Sequence, residues 1–67
     1  MTQKEMIVKY IKDFGSISPM EAFSDLGITK LATRISELIR DGETIHKCPE
    51  QRVNRYGKKC HFMRYMM

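Results

Sequence analysis

Apolar side chains recur at helical spacing in three separate segments of the chain. The first segment predicts a helix over residues 3–14. Its apolar face is formed by Met6, Ile7, Tyr10, Ile11 and Phe14. Thr2 and Glu5 are spaced as a capping box, in which each side chain satisfies a free amide of the first turn, and Gly15 ends the helix.

A second and shorter helix is predicted over residues 19–26. Ser18, Pro19 and Glu21 occupy the N-cap, first and third positions, where these residue types favour the start of a helix. The side chains expected to be buried are Met20, Phe23, Leu26 and Ala22 (or a neighbour of Ala22). Gly27 then breaks the helix.

The third helix is predicted over residues 30–41, with Thr29 at the N-cap and Gly42 after the last turn. Its apolar side is formed by Leu31, Ile35, Leu38 and Ile39, with Ala32 beside them. The opposite face carries Lys30, Thr33, Glu37 and Arg40, with Arg34 on the flank. Such side chains can reach base edges in the major groove of DNA. On this segment alone, an ordinary solvated surface helix is the alternative.

A tight turn with a central Gly27 joins the second and third helices, which is the arrangement of a helix-turn-helix. After Gly42 the period changes, and a β-hairpin is predicted over about residues 44–65. We expect its first strand to stop at Pro49, or to continue over residues 51–53.

The returning strand of the hairpin is predicted over residues 58–65, after a turn at Asn54–Gly57. Its alternation is not regular. Either the pair Cys60 and Phe62 or the pair Met63 and Tyr65 faces the helices, and the pattern leaves both open. We expect Ile45 to face the helices.

The length of 67 residues limits both the fold and the functions that the chain can have. A chain of this length forms one domain with roughly a dozen core side chains, which leaves little room for an enzyme-sized cleft. No nucleophile, base and orienting acid occur in a usable arrangement, so an enzyme is not expected. No segment approaches the ~20 apolar residues of a membrane span. We therefore expect a soluble, cytoplasmic protein that does not bind a membrane.

The net charge of +4 is distributed unevenly along the chain. Residues 1–27 carry −1, residues 28–43 carry 0, and residues 44–67 carry +5. The basic residues of the last segment are Lys47, Arg52, Arg55, Lys58, Lys59 and Arg64. A basic patch confined to one part of a small domain is typical of a surface that binds a polyanion, although a solvated basic tail has the same composition.

Two stretches carry a resemblance to a known family. They are DFGSISPMEAFSDLGITKLATRISELIRDG (residues 13–42) and the hairpin tip NRYGKK (residues 54–59). With them the chain resembles the small winged helix-turn-helix proteins encoded by bacteriophages and prophages. The resemblance implies an α+β fold, with three helices and a C-terminal β-hairpin wing. It also implies binding to double-stranded DNA and regulation of phage or prophage genes in the bacterial cytoplasm. The methionine-rich end, HFMRYMM, departs from the family pattern.

The resemblance also implies roles for individual residues. Those expected to read or flank bases are Thr29, Lys30, Thr33, Arg34 and Glu37. Those expected to contact phosphates are Arg40, Lys47, Arg52, Arg55, Lys58 and Lys59. About five phosphate contacts give a log–log salt slope near −4 to −5. Because one copy forms a small interface, we expect a homodimer or tandem binding on DNA.

Two other features of the sequence allow functions other than DNA binding. A phage-encoded protein of this fold could instead bind a host protein or a protein–RNA complex, for example as a CRISPR inhibitor, using an adaptable surface of Met63, Met66 and Met67. The residues Cys48, Cys60, His46 and His61 offer four potential zinc ligands. Their spacing matches no usual zinc motif, so neither a metal nor another cofactor is expected.

Overall fold

The structure, a computed structural model, describes residues 1–67 and contains three helices followed by two strands. The elements are α1 (Gln3–Phe14), α2 (Pro19–Leu26), α3 (Leu31–Arg40), β1 (His46–Val53) and β2 (Lys59–Met66). The two strands form an antiparallel hairpin. This arrangement confirms the predicted α+β winged helix-turn-helix with its C-terminal wing. None of the helices has the length and apolar run that crossing a bilayer requires.

The helix starts differ in how they are capped. At α2 the capping box is complete: Ser18 Oγ accepts from the Glu21 amide at 3.2 Å, and Glu21 Oε1 accepts from the Ser18 amide at 2.9 Å. At α3 the N-cap is Lys30 without a side-chain bond, so the prediction of Thr29 as the cap is wrong. The Ile28 amide bonds to the Ala22 carbonyl at 3.0 Å, and Thr29 lies in the turn that follows.

One hydrophobic core joins all three helices to the wing. Its buried members are Ile7, Ile11, Ile17, Ala22, Ile28, Leu31, Ile35, Leu38 and Tyr65. Two of them, Ile17 and Ile28, belong to the connections between helices rather than to the helices. Because both connections take part in the core, the packing of α2 is fixed at the loop before it and at the turn after it.

Four residues expected on buried apolar faces are exposed instead. They are Phe14 (72% exposed), Met20 (77%), Phe23 (61%) and Ile39 (41%). The inward side of the eight-residue α2 is taken by Ala22 and Leu26, four residues apart, and the other two side chains of α2 lie off that line. Ile39 follows the buried Leu38 by one residue, which turns it about 100° from the core. Phe14 packs against the ring of Tyr10, at 4.7 Å between centroids.

The first strand runs through Pro49 to Val53, so the alternative in which it continues over residues 51–53 is confirmed. Tyr65 explains why. Its amide and carbonyl both bond to Ile17 at 2.8 Å, so they point away from β1. Pro49 lies opposite Met63, two positions from Tyr65, where the backbone groups again point outward. A proline, which has no N–H, is tolerated at such a position because the ladder needs no donor there.

Met63 and Tyr65 are the pair of β2 side chains that faces the helices, which settles the choice the sequence left open. Tyr65 is buried in the core, and Met63 packs against it. Ile45, just before β1, packs there too, as predicted. The base of the wing is therefore part of the hydrophobic core.

The other face of the wing is attached to the helices by Arg64. Its Nε donates to Glu50 Oε1 at 2.6 Å, and its Nη1 donates to Glu21 Oε1 at 2.9 Å and to Ser16 Oγ at 3.1 Å. The bond to Glu50 is the main cause that raises the pKa of the guanidinium above its usual value. Only 19% of this side chain is exposed, so Arg64 holds the fold together and does not belong to the free basic surface.

The change Arg64→Met should lower the free energy of unfolding by roughly 2 kcal/mol, because it leaves two carboxylates without their cation in a half-buried site. Urea unfolding followed by circular dichroism measures this. Arg52→Met is the matched control, since Arg52 is exposed on the same face and forms no ion pair. It should change the free energy by no more than about 0.5 kcal/mol. Equal stability of the two variants would contradict the assigned role of Arg64.

Tyr10 makes the free energy of unfolding depend on pH in the alkaline range. Its hydroxyl donates to Asp25 Oδ2 at 2.6 Å, and this bond is the main cause that raises the pKa of Tyr10 to about 12. Because the folded state holds the proton more tightly than the unfolded state, the contribution is complete below pH ~10 and is lost as the pH rises toward the folded value. Tyr10→Phe should remove this loss. Unfolding curves at a series of alkaline pH values test it, and an identical pH dependence in both proteins would refute it.

Candidate nucleic-acid interface

The outward face of α3 is fixed by which of its residues point inward. Leu31, Ile35 and Leu38 are buried, and side chains about half a turn away face solvent. The exposed side chains there are Ala32, Thr33, Ser36 and Arg40. Ala32 and Ser36 were absent from the predicted base-reading set. Ser36 lies three residues after Thr33 and four before Arg40, and Ala32 lies four before Ser36, which is the spacing of one helix face.

Arg34 and Glu37 lie on the flank of α3 that faces the start of α1. Arg34 Nη1 donates to Glu37 Oε1 at 2.8 Å, and Arg34 Nε donates to Gln3 Oε1 at 3.0 Å. The bond from Arg34 is the main cause that lowers the pKa of Glu37. About a third of each side chain is exposed, 32% and 34%. These two predicted base-reading residues therefore bond to each other and brace α3 against α1.

A second contact between α1 and α3 lies at the other end of α3. Lys4 Nζ donates to Asp41 Oδ2 at 2.8 Å, which raises the pKa of Lys4. With this pair and the pair described above, the acids Glu37 and Asp41 are each neutralised by a cation. The exposed face of α3 consequently presents hydroxyls, a methyl and the charge of Arg40, with Thr29 and Lys30 exposed at its start.

The outer half of the wing projects from the helices. All residues from Gln51 to Cys60 are exposed, whereas β2 is buried or half-buried from Phe62 to Met66. Eight residues of antiparallel strand span about 27 Å, and the molecule measures 38 Å along its longest axis. The wing is therefore an arm fixed at its base and free at its tip.

The basic residues of the wing do not all share one surface. Side chains alternate between the two faces of a hairpin. Lys47 and Lys59 lie on the face that carries Tyr65 at its base, whereas Arg52 lies on the opposite face with Arg64. Arg55 and Lys58 belong to the turn between the strands. The cations that looked like one cluster in sequence thus surround the arm.

The turn is held by the side chain of Asn54. Its Oδ1 accepts from the Tyr56 amide at 2.9 Å and from the Lys58 amide at 3.0 Å, and its own amide bonds to the Lys58 carbonyl at 2.8 Å. Gly57 has φ of +77°, a conformation that glycine adopts readily. These bonds fix the loop that carries Tyr56 outward. The composition of residues 54–57 predicted the turn but indicated no role for Tyr56.

The ion pairs separate the cations of the chain into two groups. They use four of the twelve basic side chains, namely Lys4, Lys9, Arg34 and Arg64. Seven of the remaining eight lie at the start or end of α3 or on the wing, and Lys12 is the eighth. Those seven are Lys30, Arg40, Lys47, Arg52, Arg55, Lys58 and Lys59. Positive charge that the fold does not neutralise is therefore concentrated on α3 and the wing.

The cysteines of the wing lie too far apart for a disulfide within one chain. Cys48 is opposite Arg64 and Cys60 is opposite Arg52. Four strand positions separate the two thiols, roughly 13 Å, well beyond bonding geometry. Both thiols are free and exposed, and no cluster of three His, Cys, Asp or Glu side chains is placed to hold a metal ion.

The family model described as a winged helix-turn-helix domain matches residues 2–67. No curated protein and no solved structure shows a significant match to the chain. A winged helix-turn-helix is typically a DNA-binding fold without enzymatic activity, and the unpaired cations lie on the two elements that such folds turn toward DNA. The match covers nearly the whole chain and coincides with the observed helices and hairpin, so the chain belongs to the winged helix-turn-helix domain family.

Proposed function

We propose that this protein binds double-stranded DNA in a sequence-specific manner, with α3 in the major groove and the wing on phosphates. The observation that carries the proposal is the placement of the cations. Seven of the eight basic side chains without an ion pair lie at the ends of α3 or on the wing. Unpaired surface cations are what a polyanion neutralises when it binds, with release of its condensed counterions.

The outward residues of α3 suit contact with base edges. Thr33 offers both a hydroxyl and a methyl group, and Ser36 lies one helical turn further along the same face. Lys30 and Thr29 lie at the N-terminal end, from which recognition helices generally contact bases. A lysine can pair with guanine, and a threonine methyl can pack on the thymine methyl group.

Arg34 and Glu37 can read bases only if they give up the bond that joins them. Each would have to exchange a 2.8 Å bond to the other for a bond to guanine or to the amino group of cytosine. In their paired state they flank the bases and hold α3 in place. The phosphate contacts are assigned to Arg40, Lys47, Arg52, Arg55, Lys58 and Lys59.

The biological setting in this proposal is the regulation of phage or prophage genes in the cytoplasm of a bacterial host. It is supported by the resemblance of residues 13–42 and 54–59 to such proteins. Because a single copy buries a small interface on DNA, the proposal includes a homodimer or tandem copies on the target site. A host protein is the alternative partner, which the exposed Met20 and Phe23 on α2 favour.

Fluorescence anisotropy with a mixed-sequence duplex over a salt series tests DNA binding. Affinity should fall steeply with salt, with a log–log slope near −4 to −5 for about five phosphate contacts. The double variant Lys58→Glu/Lys59→Glu should reduce the magnitude of this slope by about two and abolish binding at moderate salt.

The variant Lys9→Glu/Lys12→Glu is the matched control, since it changes the net charge equally but lies on α1. It should bind nearly as well as the unmodified protein. Equal losses in the two double variants would show only a dependence on net charge. If the unmodified protein fails to bind even at low salt, DNA binding is refuted, and capture of host proteins becomes the next experiment.

Selection of duplexes from a random library tests the assignment of α3. The variant Thr33→Ala/Ser36→Ala should change or relax the selected sequence, with discrimination at individual positions reduced by about 1 kcal/mol. Arg40→Gln should weaken binding to all sequences alike and leave the preference intact, as expected for a phosphate contact. An unchanged preference in the double variant would mean that this face does not read bases.

A further inference from the structure

The outer edge of β2 carries backbone groups that the fold does not use. Tyr65 turns its amide and its carbonyl away from β1 and bonds to Ile17 with both. Because this direction recurs at every second residue of an antiparallel strand, Lys59, His61 and Met63 turn their backbone groups to the same side. Ile17 pairs with β2 at one position only. The amides and carbonyls of the other three residues are therefore left without a partner.

The two edges of the hairpin differ in how they are protected. The edge of β1 is interrupted by Pro49, which has no N–H to offer to another strand. The second strand, Lys59–Met66, contains no proline and no acidic residue. An open edge of this kind is a template on which an extended segment can add as a further strand. The edge of β2 is therefore the one at which the hairpin can accept a partner.

A groove beside this edge can receive a side chain of the added strand. It has a volume of about 330 Å³ and lies between the start of α2 and the face of the wing that carries Phe62. Its lining includes Pro19, Met20 and Phe62, together with Arg52 and Arg64. A residue of the added strand directly opposite Phe62 would point to the same face, with its Cβ about 5 Å away. An apolar side chain at that position would enter the groove.

The charge near the edge indicates which kind of segment it accepts. Lys58 and Lys59 lie at its outer end, and neither forms an ion pair. A second copy of this chain is disfavoured, because pairing of the two edges about His61 would place Lys58 opposite Arg64 of the other copy. Like charges directly opposite each other destabilise a sheet. An acidic segment would instead neutralise the two lysines.

We propose that the outer edge of β2 binds an extended acidic segment of another protein, which adds to the wing as a third strand. The backbone of this segment bonds to Lys59, His61 and Met63. Its side chains alternate between the two faces of the wing, with acidic residues on the face of Lys59 and apolar residues on the face of the groove. The inference does not rest on DNA binding, since it uses backbone groups that contact no phosphate in the proposed complex.

A labelled seven-residue peptide tests the proposal, with Glu at every second position, Phe at the centre and Val at the remaining two positions. Fluorescence anisotropy with the full chain should show saturable binding. In the bound strand the Glu amides face β2, whereas the Val amides face away. Methylation of the two central Glu amides should therefore weaken binding by roughly tenfold or more, because two hydrogen bonds are lost. Methylation of the two Val amides should change the affinity little.

The variant His61→Pro removes one donor from the edge and leaves the bonds to β1 intact, because the His61 amide points outward. It should weaken peptide binding by roughly tenfold. Gln51→Pro is the matched control, since Gln51 lies directly opposite His61 and turns its amide to the other edge of the hairpin. Gln51→Pro and His61→Ala should bind the peptide like the unmodified protein. Circular dichroism should show that all three variants are folded.

Three results would each overturn the inference. They are the absence of saturable peptide binding, equal affinity of the two methylated peptides, and equal weakening by the two proline variants. The last two would show that the peptide is held by charge alone. His61→Pro should still bind a mixed-sequence duplex, since the phosphate contacts are assigned to side chains. Failure of the unmodified protein to bind the duplex would refute the proposed function and leave the peptide result unaffected.

Discussion

The attachment of the hairpin at its base is the constraint on which the rest of the structure depends. An isolated two-stranded hairpin is marginally stable in water, so the wing needs support from the helices. Two adjacent residues of β2 supply it from opposite faces. Tyr65 enters the core and exchanges backbone bonds with Ile17, while Arg64 bonds to Glu50 and Glu21. Because neighbouring side chains of a strand point in opposite directions, this pair holds the hairpin on both sides.

The helix α3, which has only ten residues, is likewise held on more than one side. Three of them enter the core, and one flank is braced to α1 through Arg34 and Gln3, with Lys4 and Asp41 near the end of the helix. The remaining face is free for a ligand but cannot rotate. A rigid face and a rigid arm on one small body have a fixed spacing, which the proposed contact of both with one DNA duplex requires.

Local signals predicted the elements of this fold, and non-local contacts account for what the sequence did not reveal. Capping residues and apolar periodicity act within a few residues, so the three helices were recognisable. Periodicity also shows which side of a helix is apolar, but not whether another element covers it. In a chain of 67 residues too few elements exist to cover Phe14, Met20 and Phe23.

Arg64 and Pro49 show the same limit for the wing and the candidate site. Arg64 counted with the basic residues of the wing because its partners are distant in sequence, and Ser16 is 48 residues away. The sequence left open whether β1 ends at Pro49. A proline is accepted within a strand only where no donor is needed, and this depends on the register with β2 and hence on the bridge to Ile17. Periodicity predicted that Thr33 and Arg40 are exposed on α3, whereas Glu37 was expected beside them and instead bonds to Arg34, which depends on rotamers.

Part of the charge on the wing has a structural use in addition to the phosphate contacts proposed for it. Open edges of a hairpin invite pairing with other chains, and natural proteins block them with charged residues and proline. Lys47, Pro49 and Arg52 suit that purpose on β1, whose outer edge is unpaired. The turn has no strand edge to protect, and an exposed aromatic ring there works against solubility. Arg55 and Lys58 in the turn therefore have no such explanation, which is consistent with the phosphate contacts proposed for them.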